Sequence, residues 1–226
     1  MGTVLTSGGM RAGHYGSDGA KIEIFSGPVA DSLRDDGYET YEIAWDGDRG
    51  WATDSFGHGY TNIMCAYNEV VRWITANLAD NADIVGATGN SGGSMQIGYG
   101  LALYGLEDIL DFVVLTGWPP TTGLVMRCFE GTIPDPPVKQ SGLVRTLTDY
   151  VMGWLDDGDY CQWGFGPQWA EEAVGSASIV NSIPNAPKDC DYHGTNVAFI
   201  EGELDVAGVA SGRIYFDTIA SKNLGR

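Results

Sequence analysis

Ser91 stands between Gly89 and Gly93 in the run Ile84-Val85-Gly86-Ala87-Thr88-Gly89-Asn90-Ser91-Gly92-Gly93-Ser94-Met95. The residues before it read as an apolar strand and those after it as a helix, so a Gly-x-Ser-x-Gly pattern falls on the junction. Without a Cβ at either glycine the chain can turn sharply and leave the serine hydroxyl clear of its neighbours. A hydroxyl presented in this way beside a base is a nucleophile for acyl transfer.

The same letters allow a second chemistry. Gly86, Gly89 and Gly92 fit Gly-x-x-Gly-x-x-Gly, a loop that cradles a dinucleotide pyrophosphate and would make the chain an NAD(P)-binding reductase. That reading asks for a charged residue at the end of the next strand to hold a ribose. Instead Phe112 to Thr116 leads into Gly117-Trp118-Pro119-Pro120, and no Tyr-x-x-x-Lys pair occurs in the chain. A third reading is a glycine-rich strand-to-helix turn with no chemistry at all. The nucleophile reading accounts for the serine as well as the glycines.

The elements that must position Ser91 alternate. Strand Thr3 to Thr6 ends in Ser7-Gly8-Gly9-Met10, and a loop with Arg11, His14 and Tyr15 follows. A helix from Val29 to Asp36, closed by Gly37, precedes a strand from Glu39 to Trp45 and a loop carrying Arg49, Trp51 and His58. Thr61 or Asn62 can cap a helix to Leu78, with Ile63, Tyr67, Val70, Val71 and Ile74 spaced for one apolar face. The nucleophile strand, a helix from Gln96 to Gly105 and the strand Phe112 to Thr116 come next. Such alternation predicts an α/β fold with a mostly parallel sheet and helices on both faces.

Residues 119–194 break the rhythm. Two Pro-Pro pairs, Trp154, Trp163, Trp169 and three of the four cysteines fall there, which reads as an irregular cap or lid over the active edge. The strand Asn196 to Ile200 and a helix from Val209 to Ala220 return to the core. The expected organisation is a first part of the core over 1–118, a cap over 119–194 and the last strand and helix over 195–226.

Composition bounds the function classes. The 226 residues suffice for one α/β core with an insertion. With 12 Lys and Arg against 30 Asp and Glu, the formal net charge of -18 repels phosphate backbones and anionic lipid headgroups, so nucleic acid and membrane surfaces are not the expected partners. Three histidines and four cysteines without Cys-x-x-Cys spacing give no metal cluster, and no cofactor is expected. Cys128, Cys161 and Cys190 in the cap predict at least one disulfide and an extracellular or periplasmic setting, with free thiols as the alternative, while Cys65 falls on a helix. The first residues lack the charged-then-apolar layout expected of a signal peptide, so any export signal is expected to lie outside these residues.

With these residues in view, the chain resembles the α/β-hydrolase superfamily, from the third strand of its usual sheet to the helix before its last. The resemblance implies an esterase-like serine hydrolase with Ser91 as nucleophile. It implies an oxyanion hole made by the N–H of Gly92 and one from the loop holding Gly9 and Met10. Asp205, just past the strand Asn196 to Ile200, takes the position of the triad acid, with Glu203 beside it.

The superfamily's histidine follows one further strand, which these 226 residues do not include. His58 and His14 both come after strands, hence on the edge where Ser91 emerges, and His58 is the expected base. His193 precedes its strand and is expected at the opposite edge, about 17 Å away for five residues. Trp118, Trp154 and Trp163 favour apolar or aromatic acyl groups, from small or polymeric esters, unless they serve only as cap core. A hydrolase relic that binds ligands without turnover is the non-enzymatic alternative, and a homo-oligomer is compatible with either.

Overall fold

In the computed structural model the described residues are 2–8, 27–45, 59–117, 192, 194–200, 216, 217, 219 and 220. Five strands, β1 (Gly2–Ser7), β2 (Glu39–Ile43), β3 (Ile84–Asn90), β4 (Phe112–Thr116) and β5 (Asn196–Ile200), form one sheet in the order β2-β1-β3-β4-β5. Every neighbouring pair is parallel. The registers pair Ser7 with Ile43, Ser7 with Gly89, Asn90 with Thr116 and Thr116 with Ile200, so all five strands finish level at one edge.

Among the described residues three helices connect the first four strands: α1 (Gly27–Asp35), α2 (Gly59–Asn77) and α3 (Gly92–Tyr104). The step from β1 to β2 runs one way along the sheet and the steps from β2 to β3 and β3 to β4 run the other way. Right-handed crossovers therefore put α1 on one face and α2 and α3 together on the opposite face. The predicted α/β sheet with helices on both faces is what the chain forms.

The core gathers between the sheet and the α2–α3 layer. Leu5, Met64, Tyr67, Val71, Ile97, Tyr99, Leu101, Leu106 and Leu115 are each 0 % exposed. On α2, Tyr67, Val71 and Ile74 form the buried stripe that the spacing predicts, and Val70 packs partly against it. Helix α3 is buried from Gly92 through Ala102, as expected for a helix apolar on all sides. It ends at Gly105, whose φ of 73° is the left-handed stop that glycine adopts without strain. Arg72 from α2 donates to the carbonyls of Tyr104 and Gly105 at 2.6 and 3.2 Å, placing a cation on the negative end of α3.

Several boundaries differ from expectation. Helix α2 starts at Gly59, so Thr61 and Asn62 lie inside its first turn and not at the position before it. Helix α3 starts at Gly92, four residues before Gln96. Strand β2 stops at Ile43, two residues before Trp45. Of the last helix, residues 216, 217, 219 and 220 are helical, and Phe216 meets Phe199 of β5 edge to face at 5.9 Å between ring centroids. The expected cap over 119–194 lies outside the described residues, apart from Tyr192 and Gly194. Among the described residues no helix is long and apolar enough to cross a membrane.

Candidate active site

The candidate site grows from the way two glycines let β3 meet α3. A Cβ on Gly89 would come within 2.5 Å of the Gly93 carbonyl carbon. A Cβ on Gly93 would come within 2.0 Å of the Ser7 carbonyl oxygen. Backbone therefore touches backbone on both sides of Ser91, and a side chain at either position would push the helix off the sheet. This close approach is the physical content of the Gly-x-Ser-x-Gly pattern.

Ser91 occupies the turn itself, with φ 54° and ψ -116°, and is the one non-glycine with positive φ among the described residues. These angles match the first central residue of a type II′ turn, a place that glycine usually fills. A half-buried serine held there is under strain of the kind that gathers at functional sites. Its hydroxyl makes no capping bond to α3, so the oxygen is not used up by the helix it precedes. Its N–H donates to the Thr116 carbonyl at 3.0 Å, and its carbonyl accepts the Met95 N–H at 3.2 Å. The N–H of Gly92 belongs to the first turn of a 13-residue helix, where no intrahelical acceptor exists and the helix dipole favours negative charge.

The geometry gives two glycines of the dinucleotide pattern a packing role. Gly86 and Gly89 both lie inside β3, and a Cβ on Gly86 would fall 2.1 Å from the Phe112 ring. Gly86 is small so that Phe112 can lie across the strand. Of the three glycines in that pattern, Gly92 alone stands at the start of α3.

Two side chains absent from the sequence-based expectation shape the site. Ser94, 0 % exposed, accepts the Thr116 N–H at 2.9 Å and directs its proton towards the carbonyls of Gly89 and Thr116. Gln96, 1 % exposed, accepts the Trp45 indole N–H at 3.0 Å and so ties α3 to the residue that leads out of β2. A Ser and a Gln one turn into an otherwise apolar helix are the only signals for either role that the sequence carries.

Of the other expected residues, Gly9, Met10, His14, His58, Trp118, Trp154, Trp163, Trp169, Glu203 and Asp205 lie outside the described residues. Strands β1, β2, β4 and β5 end at Ser7, Ile43, Thr116 and Ile200, level with the edge on which Ser91 stands. His193 is also outside the described residues. Its neighbour Thr195 sits at the other edge, with its hydroxyl bonded to the Leu110 carbonyl at 2.6 Å. Cys128, Cys161 and Cys190 are outside as well, and Cys65 is a free thiol on α2. Among the described residues no group of His, Cys, Asp and Glu could hold a metal ion.

Comparison with known proteins gives the fold its class. No protein-family model matches the sequence, and no curated protein matches it. Among solved structures, an acylaminoacyl peptidase in complex with Z-Gly-Gly-Phe-chloromethyl ketone is similar over 98 % of this chain, with a TM-score of 0.57 and 11 % identity. The chain spans 30 % of the length of that structure. Carboxyl esterase 2 from the mycorrhizal fungus Tuber melanosporum aligns over 98 % of this chain and 77 % of its own, with a TM-score of 0.43 and 15 % identity. An alpha/beta hydrolase superfamily protein from Enterococcus faecalis aligns over 96 % and 90 %, with a TM-score of 0.40 and 13 % identity. The five-stranded parallel sheet and the first of these likenesses define an α/β-hydrolase-like fold.

Proposed function

We propose that this protein is a serine hydrolase that cleaves carboxylic esters of apolar or aromatic acids through an acyl-enzyme on Ser91. The observation that carries the reading is the conformation of Ser91: a strained serine at the tip of a parallel strand, its oxygen free of the helix cap, at the N-terminus of α3. An α/β-hydrolase-like fold, shared with a peptidase, supports it.

In this reading the Ser91 oxygen attacks the ester carbonyl while its proton passes to His58, and Asp205 holds the imidazole in the required tautomer. The N–H of Gly92, joined by one from Gly9 or Met10, receives the developing oxyanion. Collapse expels the alcohol, which takes the proton from His58. Water then attacks the acyl carbon, losing a proton to the same base, and releases the acid and Ser91. Trp118, Trp154 and Trp163 would wall the acyl site, whether the ester is a small molecule or a polymer end.

A fluorophosphonate probe with intact-mass and peptide analysis tests this directly. One adduct on Ser91, absent from Ser91→Ala, together with turnover of aryl esters, is the expected result. A protein that takes no adduct and turns over neither esters nor acyl peptides refutes the enzyme and leaves a ligand-binding relic.

A further inference from the structure

A second serine lies one helical turn beyond the first, with no exposure and no route to a substrate. We infer that Ser94 is a positioning residue for Ser91: with Thr116 it fastens the end of β3 to the end of β4 and holds the nucleophile in its strained turn. The inference rests on the reading of Ser91 as nucleophile and concerns what keeps that residue in place.

A non-glycine residue with positive φ persists only where its surroundings over-determine it. Here the determination converges on one residue. The Ser91 N–H donates to the Thr116 carbonyl at 3.0 Å. The Thr116 N–H donates to Ser94 Oγ at 2.9 Å, and the Ser94 hydroxyl proton faces the carbonyls of Gly89 at 2.7 Å and Thr116 at 2.9 Å. The Thr116 hydroxyl donates to the Gly89 carbonyl at 3.1 Å and accepts from Asn90 Nδ2 at 3.2 Å. Residues on both sides of Ser91 are thus bonded to the same threonine, and Ser94 is the link from the helix side.

Removing Oγ leaves a part-buried Thr116 N–H without this acceptor and the Gly89 carbonyl with one donor fewer, which loosens the turn from below. Helix propensity works against any other explanation of a loss, since alanine is the better helix former. The effect should therefore appear in the geometry of Ser91 and not in the helix.

Ser94→Ala is expected to slow fluorophosphonate labelling of Ser91 roughly 10- to 100-fold, as an ångström-scale misplacement of a reacting atom does. Ester turnover should fall in kcat with KM held within about twofold, the pattern of an interaction that matters in the transition state. Thr116→Ser keeps the hydroxyl and should retain the rate, whereas Thr116→Val should lose part of it. The double variant Ser94→Ala/Thr116→Val should cost less than the two single losses combined, because the residues act as a unit. Should Ser94→Ala fail to fold, Thr116→Val against Thr116→Ser carries the same comparison.

The Cα and Cβ chemical shifts of Ser91, read by NMR, follow its backbone dihedrals and require no activity. They should move in Ser94→Ala and stay in Thr116→Ser. A lower Tm with unchanged Ser91 shifts and unchanged labelling of the folded protein overturns the inference. Shifts that move in Ser94→Ala while the unmodified protein takes no adduct support it and overturn the hydrolase reading alone.

Discussion

The backbone of Gly93 lies so close to the carbonyl of Ser7 that a Cβ there would stand 2.0 Å from the oxygen. Helix α3 is therefore seated on the end of β1, and the first turn of the helix can approach the sheet only as glycine. Gly93→Ala is expected to destabilise the fold by about 3 kcal/mol, because the obstacle is rigid backbone and not a mobile side chain. Urea denaturation of the pure variant checks this. A loss below about 1 kcal/mol would mean that the helix can slide away from β1 at little cost.

The strain at Ser91 predicts an opposite result two residues earlier. Glycine adopts φ 54° and ψ -116° readily, so Ser91→Gly should remove strain of order 1–3 kcal/mol while giving back part of it in unfolded-chain entropy. A net gain of about 1 kcal/mol raises Tm by roughly 2–4 °C in a chain of this size. Ser91→Ala, which keeps the Cβ, should show no such gain. Scanning calorimetry on the two variants distinguishes a strained functional residue from a relaxed structural one. The nucleophile reading adds that both variants lose the probe adduct.

Much of this was legible in the sequence because the strands are short apolar runs bounded by turn residues. Phe112–Thr116 and Asn196–Ile200 fall where the pattern puts them. The start of α3 does not, since Gly92, Gly93 and Ser94 are weak helix formers whose helicity comes from contact with Ser7 and Thr116. Gly86 misleads for a related reason. A glycine that makes room for a ring 26 positions away looks, in one dimension, like a glycine that cradles a phosphate. Hydrogen bonds between Ser94 and Thr116, or Trp45 and Gln96, have no periodic signature, and only the folded arrangement reveals them.

The proposed base and acid give a kinetic prediction. His58→Ala should lower ester turnover at least a hundredfold with the fold intact, as loss of a general base costs about 10²- to 10⁴-fold. Asp205→Asn should fall by a comparable or larger factor through the wrong imidazole tautomer, with Glu203→Gln close to the unmodified rate. Steady-state kinetics with far-UV circular dichroism on each variant makes the comparison. Full activity in His58→Ala would move the base to His14, the other histidine that follows a strand ending at this edge.

Alkaline pH probes the packing behind the site. Burial pushes the Tyr67 phenol upwards, and burial followed by the charge of Cys65 pushes Tyr104 up to about 12 from 10.0. In the unfolded chain both titrate near the ordinary value, so between about pH 10 and 12 the native state holds protons that the unfolded state has lost. Stability then falls as pH rises: the contribution is complete below pH 10 and lost on passing through the native pKa. The Tyr67 hydroxyl is buried without a hydrogen-bond partner among the described residues. Tyr67→Phe should therefore stabilise the protein by about 1 kcal/mol at neutral pH, since it removes an unsatisfied polar group at constant shape. It should also flatten the alkaline decline, because one of the two raised phenols is gone. Urea midpoints measured from pH 8 to 12 on both proteins, with phenolate absorbance followed in parallel, test the sign. A Tyr67 phenol that ionises near pH 10 in the native protein would show that its environment is wetter than its 0 % exposure implies.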